Sequence, residues 1–363
     1  MIVKIGDVIS EYSVRNKFDE NIPVYSVTNE KGFCTGYFSK EVASKDKSTY
    51  KIVPRGYFAY NPSRINVGSV DWQKYEDRVI VSPLYVVFGV SDRLDRQYLL
   101  HYLKSDMMLS FIKEYATGSV RDNLKLADLG KFPINLRPVE EQRQIATTLD
   151  KIDDLIAKRR QQLDKLDELV KSRFIEMFGV YPANPMGWEI GTIRDIVTEV
   201  RYGSSRPAVD GGKYPYLRMN NITYGGELDL SDTKRIDIPD NELDKCTVRR
   251  GDILFNRTNS KELVGKTCVY DRDEMMVLAG FVIRIRVKDR ILPEFLSAFL
   301  NTDFSKQMLL GMCKTAIGQA NINAQELQNI GLYLPPVELQ QCFVQFKKET
   351  DKSKSFDDLE VAA

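Results

Sequence analysis

The sequence predicts an α+β protein in which two small mixed α/β domains are separated by a long antiparallel helical (coiled-coil) spacer. Three observations support this fold class: a regular amphipathic stretch in mid-chain, an internal repeat, and a composition typical of globular proteins. The chain has 363 residues, of which 43% are hydrophobic and 28% are charged. This length accommodates two domains and a long helix, and this composition is not that of a disordered chain.

The stretch from Pro138 to Phe178 predicts a single long helix. Its apolar residues alternate at spacings of four and three, which is the heptad pattern of a helix that packs against another helix. About 40 residues at 1.5 Å each would form a rod of roughly 60 Å. Arg159 and Arg173 interrupt this apolar seam. Its members are Ile145, Leu149, Ile152, Ile156, Leu163, Leu166, Val170 and Met177.

The two halves of the chain repeat the same series of short patterns at an offset of 195 to 198 residues. Four matches in one register predict a duplicated unit, made of a globular domain followed by a helix. The pairs are Arg55–Asn61 with Arg250–Asn256, Tyr98–Asp106 with Phe295–Asp303, Asn123–Leu129 with Asn321–Leu327, and Pro138–Gln142 with Pro336–Gln340. The predicted boundaries are 1–137 for the first domain, 138–180 for the spacer helix, 181–335 for the second domain and 336–363 for a second, shorter helix.

A duplicated unit of this kind suggests a reader of duplex DNA. Two antiparallel helices would place the domains at opposite ends of a rod, related by a pseudo-twofold axis, and DNA also has local twofold axes. A rod of roughly 60 Å corresponds to somewhat less than two helical turns of roughly 34–36 Å each. We therefore expect two half-sites separated by an unread gap, and unlike half-sites because the loops of the two halves differ.

Residue types argue against catalytic and metal-binding functions. The five cysteines are scattered without a CxxC pair, so we predict neither a disulfide framework nor a zinc site, and a reducing cytoplasm. The one histidine, His101, lies in an apolar helical stretch, where a packed or surface role is the expected one. No run approaches 18 apolar residues, so we predict no membrane span, and we predict no cofactor. With a net charge of +1, any DNA-binding surface must come from local clustering.

Loops that follow predicted strands carry side chains of the types that can read DNA. Phosphate contacts need Lys, Arg or small polar donors, and base readout needs Arg, Asn or Gln with planar geometry. Each loop also has a plainer interpretation as a solvated turn, because turns favour Asn, Ser and Gly on backbone grounds. The DNA-binding candidates are Asn61, Arg64, Asn66, Arg121 and Asn123 in the first domain, and Arg218, Asn220, Asn221, Arg257, Asn259, Gln319 and Asn321 in the second.

These patterns resemble the DNA-specificity (S) subunits of type I restriction–modification systems, over essentially the whole chain. The most specific feature is the proline-led helix entry Pro138–Ala146, which closes on Phe174–Phe178. Supporting matches are Ala116–Ser119, Lys213–Arg218 and Arg250–Leu254. The resemblance implies two target-recognition domains alternating with two spacer helices, in a chain that is not itself the catalyst. It implies that the chain binds double-stranded DNA and holds two adenine-methylating modification subunits, and it leaves open whether a restriction subunit joins.

The second helix departs from the family pattern. It can run from Val337 to about Glu360, or 24 residues, against 40 for the first helix. Thr350, Ser353 and Asp357 fall where apolar seam residues are expected, and we interpret the tail as truncated.

Two other functions compete with DNA specificity. A coiled-coil scaffold that joins two protein-binding domains would suit the near-neutral charge equally well. A nuclease or other nucleic-acid enzyme is disfavoured because no catalytic constellation is present. Steep weakening of DNA binding with salt would separate DNA reading from the scaffold, since phosphate contacts release counterions.

Overall fold

The structure is a computed structural model that describes residues 1–36, 46–117, 123–316 and 319–360. The side chains at 116–117, 314–316, 319 and 355–360 are not among those described. The chain divides into two compact units, Met1–Lys158 and Arg159–Ala363. No helix in these described ranges is both long enough and apolar enough to cross a lipid bilayer.

The first unit is built around an antiparallel sheet in the order β2-β9-β6-β7. The apolar faces of β6 and β9 pack against α1 and α2 in the unit's main core, where the Phe58 and Phe88 rings stack 5.0 Å apart. Short antiparallel pairs join β1 to β10, β3 to β4 and β5 to β8. The strands are β1 Ile2–Lys4, β2 Ile9–Glu11, β3 Ser26–Thr28, β4 Gly32–Cys34, β5 Lys51–Pro54, β6 Phe58–Tyr60, β7 Val70–Trp72, β8 Arg78–Val81, β9 Val86–Val90 and β10 Pro133–Asn135, and the helices are α1 Arg96–Lys104, α2 Asp106–Thr117, α3 Leu126–Leu129 and α4 Val139–Phe178.

The apolar pattern of the sequence predicts a single helix over Arg96–Phe111, but the structure has two helices here, α1 and α2. The break falls at Ser105, whose extended backbone ends α1. The Ser105 hydroxyl then accepts a hydrogen bond from the Met108 N–H at 3.3 Å, as a serine N-cap does. A serine at a helix interior competes for backbone hydrogen bonds, and here that competition starts a new helix.

The second unit repeats this plan with a larger sheet system. Its antiparallel sheet β12-β20-β16-β18 corresponds to β2-β9-β6-β7, and the pair β11-β23 corresponds to β1-β10. A second sheet, β14-β13-β19-β15, contains one parallel pair, and β17-β22-β21 forms a third. The strands are β11 Glu189–Thr192, β12 Val197–Tyr202, β13 Tyr214–Leu217, β14 Lys234–Ile236, β15 Thr247–Val248, β16 Ile253–Asn256, β17 Thr258–Asn259, β18 Thr267–Val269, β19 Met276–Leu278, β20 Val282–Val287, β21 Lys314–Ala316, β22 Gln319–Asn321 and β23 Gly331–Leu334, and the helices are α5 Ile193–Ile196, α6 Asp240–Cys246, α7 Pro293–Leu300, α8 Asp303–Met312, α9 Ala324–Gln328 and α10 Val337–Glu360.

The long helix α4 belongs to both units, and its second half packs against α10 in the second unit. Phe343 of α10 contacts Phe174 and Phe178 of α4, with ring centroids 5.2 and 5.8 Å apart. Further along α10, the Lys354 carbonyl accepts a hydrogen bond from Arg159 Nη2 at 2.7 Å. Higher numbers on α10 thus meet lower numbers on α4, so the two helices run antiparallel. The predicted α+β class with a long antiparallel helical spacer is confirmed.

The apolar seam of α4 is covered to different extents along its length. Val170 and Met177 pack against the main core of the second unit, and Leu163 and Leu166 are half-buried. In the first unit Ile145 is half-buried, but Leu149, Ile152 and Ile156 are 36, 46 and 45% exposed. On α10, Thr350 stands where an apolar residue was expected, and it is nevertheless buried. Its hydroxyl donates to the Phe346 carbonyl at 3.0 Å, which satisfies the polar group inside the helix.

The start of each long helix is attached to its domain by a buried glutamine. Gln142, fully buried, accepts a hydrogen bond from the Asp95 N–H at 2.8 Å and donates to the carbonyls of Arg93 and Arg137. Gln340 repeats these contacts in the second unit. It accepts from the Leu292 N–H at 2.8 Å and donates to the carbonyls of Arg290 and Pro335. Because Asp95 and Leu292 cap α1 and α7, each glutamine joins the long helix to the domain's first large helix.

Further polar contacts attach α4 to its domain in the first unit, and one of them involves the histidine. The His101 Nε2 atom on α1 lies 2.8 Å from an Asp150 carboxylate oxygen on α4, and its Nδ1 lies 3.8 Å from Asp153. The histidine side chain is 16% exposed. The only histidine of the chain therefore helps to fix the direction in which α4 leaves the domain.

We expect Gln340→Ala to lower the free energy of unfolding of the second unit by about 2–4 kcal/mol, because it leaves one N–H and two carbonyls without their partner. Urea denaturation followed by circular dichroism measures this loss. The matched control is Gln345→Ala, on the exposed face of the same helix, which should change stability by less than about 0.5 kcal/mol. Equal midpoints for the two variants would refute the role of the buried glutamine.

Candidate nucleic-acid interface

In the first unit, the loop that follows β6 presents three of the predicted DNA-binding residues. The Asn61 side-chain oxygen Oδ1 accepts hydrogen bonds from the Ser63 N–H at 3.1 Å and from the Ser63 hydroxyl at 2.9 Å, which folds the loop into an Asx turn. Arg64 is exposed, and its guanidinium has no hydrogen-bond partner among the described residues. Asn66 is half-buried in the short 3₁₀ turn that follows. The sharp turn therefore holds Arg64 out towards solvent.

The second predicted segment of this domain, which contains Asn123, contacts the loop that follows β6. The Leu124 N–H donates to the Pro62 carbonyl at 3.1 Å, and the Tyr60 hydroxyl donates to the Leu124 carbonyl at 3.0 Å. These bonds bring the exposed Asn123 beside the loop that carries Asn61 and Arg64. Arg121, the remaining candidate of this domain, lies outside the described residues. Asn61 and Arg64 line a cavity of about 330 Å³ together with Ser26, Val27, Thr28, Asn29, Glu30, Lys31, Val67, Ser69 and Tyr85.

The second unit makes the same junction between two loops. The Ile322 N–H donates to the Arg257 carbonyl at 2.9 Å, as Leu124 does to Pro62 in the first unit. Here β17 and β22 also pair, with Thr258 opposite Asn321. The backbone of Gln319 lies in this strand pair, but its side chain is not among those described. Two sequence segments that are 60 residues apart thus form one surface in each unit.

Arg257 is held in a defined orientation at this junction. Its guanidinium lies over the Tyr202 ring at 4.8 Å, and Nη2 donates to the Asn321 side-chain oxygen at 3.0 Å. Arg218 is oriented by Asp232, because the Arg218 Nη2 donates a hydrogen bond to the Asp232 carboxylate at 2.8 Å. In both arginines the Nε–H is buried and has no hydrogen-bond partner. Two arginines are therefore held in defined orientations by contacts within the protein.

The neighbouring asparagines of the second unit have different roles. Asn220 is exposed, whereas Asn221 is 2% exposed and its amide is used internally. The Asn221 side chain accepts from the Arg218 N–H at 2.9 Å and donates to the carbonyls of Asp229 and Asp232. Asn259 is similarly engaged, since it donates to the Asn256 side chain at 3.0 Å and accepts from the Ser260 N–H. These contacts favour a loop-shaping role for Asn221 and Asn259, and they leave Asn220 as the outward side chain.

Arg218, Asn220 and Arg257 line one groove with a cavity volume of about 530 Å³. Its wall is completed by the segment Ser204–Ala208 and by Phe281, neither of which the sequence analysis selected. The signal for the first was present, since Tyr202-Gly203-Ser204-Ser205-Arg206 follows a strand and supplies the same donor types. Phe281 carried no such signal, because a lone phenylalanine in a sequence is more often part of a core. The full lining is Ser204, Ser205, Arg206, Pro207, Ala208, Tyr216, Arg218, Met219, Asn220, Arg257, Ala279, Gly280 and Phe281.

A glycine makes this groove wall possible. The chain at Gly203 crosses the end of β19 so closely that a Cβ atom would lie 2.1 Å from the Leu278 carbonyl oxygen. At the crossing, the Ser204 N–H donates to Leu278 at 2.6 Å and the Gly280 N–H donates to the Ser204 carbonyl at 2.7 Å. The backbone on that side of the groove is therefore fixed by hydrogen bonds rather than free to rearrange.

Two basic side chains near the groove, Arg206 and Lys266, have different environments. Glu242 accepts from Arg206 Nη2 at 2.7 Å, and this hydrogen bond raises the pKa of Arg206. Beneath the groove, Lys266 is 8% exposed and donates to the Met219 carbonyl at 2.8 Å. Burial lowers the pKa of Lys266, and its contact with a main-chain carbonyl indicates a structural role rather than the phosphate binding of a P-loop lysine. The ligand-facing charges are thus the arginines.

Comparison with known proteins identifies the family. The profile described as "Type I restriction modification DNA specificity domain" matches the chain twice, at residues 2–168 and 185–355. The chain belongs to the family of type I restriction–modification DNA specificity domains. The resemblance inferred from the helix-entry patterns is confirmed, and the two matches confirm the internal repeat.

Individual relatives are specificity subunits of type I restriction enzymes. The EcoKI specificity subunit of Escherichia coli K12 is 24% identical over 259 residues, which cover 67% of this chain and 56% of that protein. A putative MjaX specificity subunit of Methanocaldococcus jannaschii is 28% identical over 171 residues, covering 46% of this chain and 40% of the relative. This chain thus spans only about half the length of the curated relatives it matches.

Among solved structures, a chain from a type I restriction–modification system, studied for complex assembly and conformational transition, has the same fold. The superposition covers all of this chain and 95% of the other, with a TM-score of 0.53 and 18% sequence identity. Sequence identity at this level shows the fold and does not transfer individual residues.

The contrast between Asn220 and Asn221 is directly testable. We expect Asn221→Ala to lower the free energy of unfolding by about 1–3 kcal/mol, since three backbone groups lose their partner. Asn220→Ala should leave stability unchanged within about 0.5 kcal/mol, because its side chain is exposed. Thermal denaturation of the two variants in parallel makes the comparison. A larger loss for Asn220→Ala would mean that the side-chain roles are reversed.

Proposed function

We propose that this chain is the non-catalytic DNA-reading subunit of a type I restriction–modification complex, and that it reads two unlike half-sites separated by a fixed gap. The observation that carries the proposal is the repeated loop junction, at which the same two loops meet in each unit and carry planar donors. The junction made by Leu124 and Pro62 has its counterpart in Ile322 and Arg257. Equivalent frames with different side chains suit two half-sites of different sequence.

In the second unit, Arg257, Arg218 and Asn220 are the proposed readers, with Asn321 orienting Arg257. An arginine that stacks on an aromatic ring loses less side-chain freedom on binding, so its donors act with greater selectivity. Gln319 remains a proposed reader from its place in β22. In the first unit we propose Arg64, Asn61, Asn66 and Asn123 as readers, with Arg121 as a further candidate. Proposed contacts include both phosphates and base edges.

The long helix would dock the catalytic partners. Its outward face carries exposed charged residues, among them Lys158, Arg160 and Lys165, and the exposed Leu149, Ile152 and Ile156 lie on the same helix. Mixed apolar and charged helix surfaces suit protein partners. We propose two adenine-methylating modification subunits as those partners, with a restriction subunit as a further one, all in the cytoplasm where the DNA lies. Catalysis would belong to these partners.

Methylation mapping in cells that carry this chain with its modification subunits tests the proposal. We expect methylated adenines in a motif of two unlike halves with a constant gap. Binding of the complex to that motif should weaken steeply as salt rises, because phosphate contacts release counterions. The absence of any bipartite motif, together with salt-insensitive interactions, would favour a protein scaffold instead.

Substitutions of Arg257 and Arg64 test whether each unit reads its own half-site. Arg257→Ala should relax base preference in one half of the motif and Arg64→Ala in the other, each weakening binding by about 1–3 kcal/mol if the contact is bidentate to guanine. Arg290→Ala is the matched control, since that exposed arginine pairs with Glu189 and does not line the groove. Competition binding with a library of motif variants measures the preference. Relaxation of the same half by both variants would contradict the assignment of one half-site to each unit.

A further inference from the structure

The groove of the second unit has an apolar side that the arginines do not account for. Phe281 is 53% exposed, although it belongs to the turn between β19 and β20 that lines the groove. Pro207, Ala208, Met219 and Ala279 line the same cavity. Single exposed apolar residues are common, but this ring lines a groove together with two arginines, where it offers an apolar contact to a ligand.

The Phe281 ring is held on a rigid backbone. Its carbonyl accepts hydrogen bonds from the Arg257 N–H at 3.0 Å and from Asn256 Nδ2 at 3.3 Å. The Val282 N–H donates to the Ala279 carbonyl at 2.9 Å and closes the turn. The same turn is therefore tied to the loop that carries Arg257. A base contacted by Phe281 would consequently lie next to one contacted by Arg257.

The first unit has an aromatic residue at the equivalent turn. Tyr85 lies just before β9, as Phe281 lies just before β20, and it lines the cavity that contains Asn61 and Arg64. The Tyr85 hydroxyl accepts a hydrogen bond from the Val27 N–H at 3.4 Å. The position is thus aromatic in both units, but its polar atom is present only in the first.

We propose that the half-site read by the second unit contains a thymine, and that Phe281 recognises it through the 5-methyl group. In the major groove thymine alone among the four bases presents a methyl group, while every other feature of the base edges is a hydrogen-bond donor or acceptor. The apolar Phe281 surface would contact the thymine methyl group. The neighbouring arginine donors would contact phosphates and acceptor atoms of the base edges. This inference rests on the proposed DNA-reading function and adds a base to it.

The test uses the motif from methylation mapping, the complex of the full chain with its modification subunits, and duplexes in which single thymines are replaced by deoxyuridine. This replacement removes one methyl group and leaves the hydrogen-bonding edge intact. In fluorescence anisotropy, one thymine of one half-site should show about three- to fivefold weaker binding when replaced, as expected for exposing one methyl group. Phe281→Ala should abolish that difference, while Phe281→Leu should retain most of it.

Phe18→Ala is the matched control, because Phe18 is an even more exposed phenylalanine, at 88%, and does not line the groove. It should leave the deoxyuridine effect unchanged. The inference is overturned if no thymine shows the effect, or if the effect persists undiminished in Phe281→Ala. In either of those results salt-dependent binding to the motif survives, so the DNA-reading function stands. If the unmodified complex fails to bind the motif at all, the proposed function and this inference both fail.

Discussion

One buried glutamine at the start of each long helix holds the architecture together. Gln142 and Gln340 each form hydrogen bonds with three backbone groups. Each glutamine thereby joins the start of a long helix to the N-terminal cap of the first large helix of its domain. An unsatisfied buried polar group costs more than a typical hydrogen bond gains, so the contact is strongly specified. In each unit the buried glutamine therefore helps to fix the direction in which the long helix leaves its domain, and in the first unit His101 contributes to this as well.

The two units share a backbone arrangement but support it with different side-chain contacts. In the second unit, Asp252 and Arg286 form a buried ion pair at 2.7 Å, and Arg286 also bonds Glu199. In the first unit the position equivalent to Asp252 is Tyr57, which packs closely over Gly89. Both contacts lie next to the sheet strand that leads into a loop of the candidate interface. Because the supporting contacts are internal, the loop side chains remain free to differ between units, and this separation of frame from loop is well suited to specificity that changes by substitution.

Much of the fold was predictable because its signals are periodic or repeated. The four-three spacing along Ile145–Met177 predicted a continuous helix, and the paired helix-entry patterns predicted the duplication. The break at Ser105 was not predicted, because the apolar pattern continues across it and only the local hydrogen bonds end the helix. The buried role of Asn221 was also hidden, since adjacent asparagines look alike until burial distinguishes them. Phe281 was missed because exposure is a property of the packed chain and not of the residue type.

The sequence by itself determined the class of protein, the repeat and the family, since these follow from patterns that local chemistry and spacing preserve. It also identified one loop that lines the cavity of the first unit and two that line the groove of the second. The tertiary structure decided which donors act together: Arg257 with Asn321 and Tyr202, and Arg64 beside Asn123. Those neighbours are brought together by sheet pairing and loop junctions over many tens of residues. Long-range backbone hydrogen bonds of this kind leave no periodic signal in the sequence, so only the folded chain reveals them.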